Sequence, residues 1–294
     1  MKHGKLLALT LSLALALVFL AGCGGGEGAK TEGFDDSKAI SVVTRESGSG
    51  TRGAFIELFK IEVKEGETKK DMTTSNAITT NKTDVALSTI AGNEYAIGYV
   101  SVGSLNPSVK ALNIDGAAAT TANAKSGVYQ ITRPFIVATQ GTADALTQDF
   151  IGFILSQEGQ AVITANNYVA VRDDAAAYNA ANAAGKLVVA GSSSVAPVME
   201  KLKEAYEGIN SGVKVEIQIT DSSAGLKTLA NGTCDIGMSS RALTAEESSQ
   251  LTDTVIALDG IAVIVSKDNP LDELTSEQVR QVFTGEFTTW GDLR

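Results

Sequence analysis

Three short β-branched runs in this chain each end in a loop of Ser, Gly and Thr that leads directly into a helical pattern. The loops are residues 45–52 (RESGSGTR), 191–194 (GSSS) and 220–223 (TDSS). A fourth polar run, 239–241 (SSR), follows another predicted strand. In a parallel α/β sheet such loops gather at one edge, where ligands bind, so the pattern constrains both the fold and the position of a site.

The remainder of the chain from residue 40 onwards alternates between the same two patterns. Strands are predicted at 40–44, 96–100, 135–138, 187–190, 213–219, 235–238, 255–258 and 261–265. Helices are predicted at 51–59, 143–155 continuing through 159–166, 196–207, 224–230 and 276–283. In the helix from Ala196, Val198, Met199 and Leu202 share one face, which is the spacing of a core-facing helix. These patterns predict an α/β protein.

Each junction from strand to loop to helix offers chemistry that suits an anion. Free backbone N–H groups, the positive end of a helix dipole and hydroxyl donors converge there. Ser and Thr are also the commonest helix N-caps, so helix stability explains any single junction equally well. The recurrence of the junction, with arginines at two of the four polar runs, favours an oxyanion site.

Residues 48–53 (GSGTRG) also match the G-x-G-x-x-G pattern of dinucleotide sites. In such a site the glycines follow the strand closely, and an acid about 20 residues further on holds a ribose. Here three polar residues intervene, and the nearest acids, Glu67 and Asp71, lie in a charged stretch in which we predict no strand. A dinucleotide site is therefore the weaker interpretation.

The first 22 residues have the pattern of a secretory signal peptide. Lys2 and Lys5 precede an apolar run at 6–21, which is shorter than the ~20 residues that a spanning helix needs. The run ends in LAGC, which resembles the lipobox of bacterial lipoproteins and implies that Cys23 carries lipid; an ordinary signal peptide is the alternative. Residues 23–39 are predicted to be a lipidated tether. We expect a protein anchored by lipid to the extracytoplasmic face of the cell membrane.

Cleavage before Cys23 would change which charged and titratable side chains the mature protein contains. It would remove Lys2 and Lys5 from the 24 basic side chains, leaving 22 against 34 acidic ones, so the net charge would go from −10 to −12. It would also remove His3, the one histidine, which excludes imidazole catalysis and histidine metal sites. We expect no enzyme, no metal site, no cofactor and no nucleic-acid binding. Cys234, left without a disulfide partner, is predicted to be buried.

Five segments closely resemble motifs of the phosphate-binding proteins of bacterial ABC phosphate importers. They are 45–52 (RESGSGTR), 96–100 (AIGYV), 191–197 (GSSSVAP), 235–241 (DIGMSSR) and 283–290 (FTGEFTTW). The resemblance spans residues 40–294 and implies a class II periplasmic-binding-protein fold, with two α/β lobes and a ligand cleft between them. It also implies that inorganic phosphate is the ligand and that an ABC permease is the partner. We expect the protein to be a monomer.

The order of these segments differs from the order in that family. There, the GSSSVAP and GMSSR segments precede FTGEFTTW, and the SGSGTRGAF and IGYV segments follow it, whereas here the second group comes first. The chain resembles a circular permutant in which residues 172–186 join the usual termini. One lobe would be 136–258, and the other 40–134 together with 259–294. A truncated piece of a longer tandem gene is the alternative.

The resemblance also implies which residues contact phosphate. They are Arg45, Ser49, Gly50, Thr51, Ser193, Ser194, Ser222 and Ser240. Some family members have an aspartate at the position of Ser240, where it accepts the proton of hydrogen phosphate and so rejects sulfate. Asp221 and Glu46 are the candidate acceptors here. A receptor for sulfate or another tetrahedral oxyanion, a phosphate sensor and, more remotely, a phosphoester-processing enzyme are the alternative functions.

Overall fold

A computed structural model describes residues 33–66, 68–180 and 183–294, and Asp36–Arg294 form one compact unit. The predicted signal peptide, Cys23 and most of the predicted tether lie outside the described residues. Among the residues that are described, no helix has the length and the apolar character needed to cross a membrane.

A mixed sheet of ten strands forms the centre of the fold. The strands of this sheet and of two small side sheets are β1 (Ser41–Arg45), β2 (Glu62–Glu65), β3 (Thr68–Asp71), β4 (Ile78–Thr80), β5 (Ala96–Ser101), β6 (Val109–Ala111), β7 (Asn113–Ile114), β8 (Thr132–Gln140), β9 (Val169–Ala170), β10 (Ala184–Ser192), β11 (Gly212–Thr220), β12 (Ile236–Ser239), β13 (Leu251–Ser266) and β14 (Glu273–Leu274). The order in the main sheet is β11-β10-β12-β8-β13-β5-β1-β4, and β6 and β9 also pair with β13. β10 is parallel to β11 and β12, and β1 is parallel to β4 and β5.

Helices connect these strands and pack on the sheet. They are α1 (Gly50–Leu58), α2 (Thr83–Ala91), α3 (Thr121–Ser126), α4 (Ala145–Ile154), α5 (Gln157–Ala165), α6 (Ala196–Ile209), α7 (Ser222–Ala230), α8 (Ala245–Ser248) and α9 (Ser276–Thr284), with short 3-10 turns at Val102–Ser104 and Trp290–Leu293. The predicted stripe of Val198, Met199 and Leu202 on α6 is fully buried in the core. The prediction of an α/β protein is confirmed.

β13 is one strand of 16 residues that contains both predicted strands, 255–258 and 261–265, so only the predicted break between them was wrong. Asp259 and Gly260 continue the strand, because the Asp259 carboxylate is paired within the sheet to Arg133 on β8. Leu251 to Gly260 pair with β8, with a bulge between Val255 and Ala257, and the following residues pair with β5. β13 therefore links the β8 side of the sheet to the β5 side.

The charged stretch after α1 forms a hairpin, so the prediction of no strand there was also wrong. β2 and β3 pair antiparallel with Glu62 opposite Asp71, and the Lys69 ammonium lies 2.7 Å from the Glu62 carboxylate. Opposite charges across the pair stabilise strands that lack an apolar alternation. Glu67 lies outside the described residues.

One further expectation needs correction. The helix predicted to continue from 143 to 166 is divided into α4 and α5, because Ser156 caps α5 by accepting a hydrogen bond from the Gly159 N–H (3.3 Å). The connection at 172–186 has no helix in its described part, and β10 begins inside it at Ala184. Most of its described residues are exposed.

Cys234 is buried, as predicted. It packs in a small apolar cluster with Leu226 and Leu229, and burial raises the pKa of its thiol to about 11. The thiolate is therefore a minor form at neutral pH, and Cys234 acts as a core residue.

Residues 36–40 lie directly against residues 288–291. The Ile40 N–H donates to the Thr288 carbonyl, and the Gly291 N–H donates to the Asp36 carbonyl, both at 2.8 Å. Ala39 and Thr289 form an antiparallel bridge between these hydrogen bonds. The beginning and the end of the folded unit are therefore adjacent.

Candidate functional site

The predicted serine-rich loops meet at the carboxyl ends of parallel strands. β10 leads into α6 and β11 into α7, and β12 ends immediately before Ser240. Because these three strands are adjacent and parallel, their loops share one edge of the sheet. β1 lies near the other end of the strand order, but the loop between β1 and α1 contacts the same serine-rich loops, as described next.

Arg45 ends β1, and only 3% of it is exposed. Its Nη2 donates to the Ser193 hydroxyl (3.0 Å), and its Nη1 donates to the Thr83 hydroxyl (3.4 Å). Nε and Nη2 also donate to the two carboxylate oxygens of Glu46, at 2.9 and 2.8 Å. These bonds fix the plane of a buried guanidinium, the side chain best suited to bidentate recognition of an oxyanion.

The first turn of α1 lies against the loop that follows β10. The hydroxyls of Thr51 and Ser194 are 2.7 Å apart, and both residues are buried. The Ser49 hydroxyl caps α1 by accepting a hydrogen bond from the Arg52 N–H (3.3 Å). The backbone N–H groups in a first helical turn lack intrahelical partners, so they add donors to these hydroxyls.

A third group of hydroxyls lies beside Gly50. Ser192 Oγ donates to Ser240 Oγ (2.9 Å), and the Ser240 N–H donates to Ser222 Oγ (3.1 Å). A Cβ atom added at Gly50 would lie 2.5 Å from Ser222 Oγ and 2.7 Å from Ser240 Oγ. The absence of a side chain at Gly50 is therefore what lets α1 approach the other two loops so closely.

Arg52 supports the loop that contains Arg45. Its Nη1 donates to the Arg45 carbonyl (2.6 Å), and its Nε donates to the Asp71 carboxylate (2.8 Å). Burial alone would raise the pKa of Asp71, but hydrogen bonds from Thr73 and Arg52 hold that pKa below its ordinary value. The ionised Asp71 carboxylate therefore stabilises the fold above about pH 4, which is the pKa of the group in the unfolded chain. This stabilisation is lost as the pH falls through the lower pKa of the folded protein.

Arg241 joins two of the serine loops to each other. Its guanidinium pairs with both oxygens of Glu247, at 2.7 and 2.8 Å, and Nη2 donates to the Ser223 hydroxyl (3.1 Å). The hydrogen bonds from Arg241 lower the pKa of Glu247. Arg241 and Arg45 are thus each paired with a neighbouring carboxylate, and Arg45 in addition donates to the hydroxyls of Ser193 and Thr83.

The two candidate proton acceptors have different surroundings. Asp221 caps α7, with Oδ1 accepting from the Ala224 N–H (2.8 Å), and its carboxylate lies against Gly48, where an added Cβ would be 2.3 Å away. Both oxygens of Glu46 accept hydrogen bonds from Arg45. Asp221 directly precedes Ser222 and lies beside Gly48, whereas both oxygens of Glu46 are already held by Arg45.

Thr83 belongs to the same cluster and was missed in the sequence. It begins α2 directly after β4, so it repeats the junction from strand to polar loop to helix, and its hydroxyl lies 3.3 Å from that of Ser193. The polar run 81–84 was a usable signal, but β4 has only three residues and we predicted no strand there. Beside Thr83 and Ser193 lies a cavity of about 420 Å³, also lined by Lys82 and Glu200.

The donors in this cluster suit one kind of ligand. Hydroxyls, backbone N–H groups and a guanidinium bind the oxygens of a tetrahedral anion. In the described part of the chain, no group of three or more His, Cys, Asp or Glu side chains could hold a metal ion.

Comparison with known proteins identifies the fold family. A model described as a PBP superfamily domain matches residues 33–158 and 176–293. The chain belongs to the PBP superfamily. It is 50% identical to a protein named phosphate-binding protein PstS 2 from Streptococcus agalactiae serotype V, over 99% of both chains. It is 42% identical to the PstS 2 protein of Streptococcus pneumoniae serotype 4, over 100% of both chains.

A solved structure agrees with these relatives. The crystal structure of a phosphate ABC transporter phosphate-binding protein from Streptococcus pneumoniae TIGR4 is 44% identical and has a TM-score of 0.71, covering 87% of this chain and 100% of that one. The predicted periplasmic-binding-protein fold and the resemblance to phosphate-binding proteins are confirmed. The expectation of a binding protein rather than an enzyme agrees with the names of these relatives.

Some relatives align with about a third of this chain, and others align with nearly all of it. The PstS protein of Staphylococcus saprophyticus is 35% identical over 111 residues, which is 35% of each chain. The streptococcal PstS 2 proteins align over essentially their whole length, so they share the segment order of this PBP-superfamily member.

Proposed function

We propose that this protein captures inorganic phosphate outside the cytoplasm and delivers it to an ABC importer. The observation that carries the proposal is the buried meeting of Arg45 with hydroxyls from opposing loops, Ser193 among them. The naming of its relatives as phosphate-binding proteins supports the same ligand. The protein acts as a monomer and binds phosphate without altering it.

An acidic protein can hold a divalent anion in this way. The donors are hydroxyl and backbone dipoles with the Arg45 guanidinium, which stabilise an oxyanion locally although the net charge of the chain is −10. The phosphate ligands in this proposal are Arg45, Ser49, Gly50, Thr51, Ser193, Ser194, Ser222 and Ser240, joined by Thr83. Their convergence from separate loops supports these roles.

Isothermal titration calorimetry of the purified protein with phosphate, and then with sulfate, tests the proposal. We expect one phosphate per chain, and binding of sulfate that is weaker by at least about 100-fold, because a carboxylate acceptor repels sulfate, which has no proton to donate to it. Equal binding of both anions would indicate a general oxyanion receptor. If neither anion gives a heat of binding, the proposal is contradicted.

Asp221 is proposed as the acceptor of the phosphate proton. Asparagine is as good a helix N-cap as aspartate, so Asp221→Asn should preserve α7 while removing the carboxylate. We expect the preference for phosphate over sulfate to fall by about tenfold or more, since the carboxylate no longer repels a fully ionised anion. Calorimetry with both anions measures this ratio. An unchanged ratio would exclude Asp221, and Glu46→Gln would then be the variant to test.

Cys23 is proposed as the site of a lipid anchor on the extracytoplasmic face of the membrane. The support is the LAGC sequence at 20–23 after an apolar run. We expect a Cys23→Ser variant to lose incorporation of radiolabelled palmitate in cells and to leave the membrane fraction. Retention of label by this variant would contradict the anchor.

The segment order is proposed to be a circular permutation. The hydrogen bonds between residues 36–40 and 288–291 support this, because a short connection would join these ends in the order of the wider family. The connection at 172–186, most of whose described residues are exposed, would then replace the family's usual ends. Two lobes, 136–258 and 40–134 with 259–294, are part of the same proposal.

A rearranged gene tests the permutation. The new chain begins at residue 183, runs to Arg294, continues through a linker of about four residues (~3.5 Å each) to Asp36, and ends at residue 179. We expect it to fold and to bind phosphate within about threefold of the natural order, because surface ends can be exchanged without loss of core contacts. Circular dichroism and calorimetry measure both. An unfolded product would contradict the proposal.

A further inference from the structure

A buried ion pair lies behind the serine loops. The side chains of Arg133 and Asp259 are 1% and 0% exposed, and Nη2 and Nε of the arginine lie 3.0 and 3.2 Å from Asp259 Oδ2. The guanidinium carbon is also 5.2 Å from the centre of the Phe135 ring. Such a pair is expensive to desolvate, and apolar side chains of similar volume often serve stability equally well. The presence of this ion pair therefore indicates a role other than stabilising the fold.

The pair lies where the main sheet changes partners. Arg133 on β8 and Asp259 on β13 are opposite each other in the ladder, and the pairing of β13 with β8 ends one residue later at Gly260. From Ile261 onwards β13 pairs with β5, beginning opposite Ser101. The ion pair is thus at the point where β13 passes from the strands near the serine loops to the strands near Arg45.

Hydrogen bonds extend from the ion pair in both directions. On one side the Ser101 hydroxyl donates to Asp259 Oδ1 (2.7 Å), and on the other Arg133 Nη1 donates to the Ser240 carbonyl (3.2 Å). The Ser240 N–H is already bonded to the Ser222 hydroxyl, so both backbone polar groups of Ser240 are held. With its backbone fixed in this way, the Ser240 hydroxyl is held toward Ser192 and Gly50.

We infer that Arg133 is a positioning residue for the phosphate site: it fixes Ser240 through the Ser240 carbonyl, and Asp259 and Ser101 orient its guanidinium. The connected series Ser101, Asp259, Arg133 and Ser240 makes the geometry of the ligand loop depend on the geometry of the two linking strands. Arg133 acts through Ser240, and phosphate affinity falls when the link is cut even if the fold stays stable. The inference rests on the proposed function, since it needs phosphate to bind beside Ser240.

The test separates stability from affinity with a double variant. Arg133→Met/Asp259→Leu removes both charges together and leaves no buried ion unpaired, so we expect a melting temperature close to that of the natural protein. We expect its dissociation constant for phosphate to rise by about tenfold, because the Ser240 carbonyl has lost its donor. A double variant that binds phosphate as tightly as the natural protein overturns the inference.

A second variant keeps the inference testable if the double variant does not fold. Arg133→Lys retains the charge, but a single ammonium cannot reproduce the fork that holds Asp259 and Ser240 together. We expect phosphate binding at least threefold weaker than in the natural protein, and unchanged binding overturns the inference. Tyr206→Phe is the matched control: it breaks a partly buried hydrogen bond to Asp149 (2.5 Å) on α4, and we expect a lower melting temperature with unchanged phosphate affinity.

The same titrations separate this inference from the proposed function. If the natural protein itself binds no phosphate, the proposed function fails, whatever the variants do. If the natural protein binds phosphate and the double variant binds it equally well, only the positioning role of Arg133 fails.

Discussion

Replacing Arg45 by alanine is expected to weaken phosphate binding by about 2–5 kcal/mol, or between about thirty-fold and a few thousand-fold. The guanidinium is buried and already oriented by Glu46, Ser193 and Thr83, so a bound anion gains charge-assisted hydrogen bonds without ordering a flexible side chain. Alanine would remove the guanidinium that donates to the Ser193 and Thr83 hydroxyls. Calorimetry of the variant and the natural protein with phosphate measures the effect.

Arg280→Ala is the matched control for Arg45→Ala. Arg280 lies on α9 and pairs at the surface with Glu277 and Glu286, outside the hydroxyl cluster. We expect phosphate affinity to stay within about twofold, since exposed ion pairs contribute little. If Arg45→Ala binds phosphate as tightly as Arg280→Ala does, the assignment of the site is wrong.

Gly50→Ala is expected to weaken phosphate binding by about 1–3 kcal/mol, or between about five-fold and 150-fold. The added methyl group would lie within 2.7 Å of the hydroxyls of both Ser222 and Ser240, so α1 and the two loops could not approach as they do. The close approach of the loops is part of the fold itself, so the melting temperature without phosphate should fall as well. The rise in melting temperature on adding phosphate should be smaller than in the natural protein.

Gly53→Ala provides the control on the same helix. An added Cβ there would meet Arg241 Cδ at 3.5 Å, an ordinary van der Waals contact, and alanine favours a helix over glycine by about 0.5–1 kcal/mol. We expect equal or slightly higher stability and unchanged phosphate affinity. Equal affinities in the two glycine variants would show that the space beside Gly50 is not used in binding.

The serine loops were predictable because they combine two local signals. A β-branched run such as 187–190 shows a strand, and Ser or Thr before a helical stripe shows where the next helix begins. The rule that parallel strands present their loops at one edge then places Ser194 and Ser222 together without knowledge of the fold. The same reasoning fails for Thr83, because its strand is three residues long and begins with the exposed Ile78.

Other elements depend on contacts that are distant in sequence. The hairpin of β2 and β3 is made of charged residues, and its pairing of Lys69 with Glu62 becomes visible only after folding. β13 continues through Asp259 because Arg133, 126 residues away, neutralises its carboxylate. An aspartate followed by glycine normally suggests a turn, so local propensity points the wrong way at the position where the sheet changes partners.

The crystal structure of this protein with phosphate is the most direct test of the account. We predict one phosphate per chain, with its oxygens within hydrogen-bond distance of Arg45 and of hydroxyls from both sides, Thr51 and Ser194 among them. Because those two hydroxyls lie 2.7 Å apart in the structure, the bound anion should separate them. A phosphate bound elsewhere, with Arg45 still paired only to protein groups, would contradict the central claim.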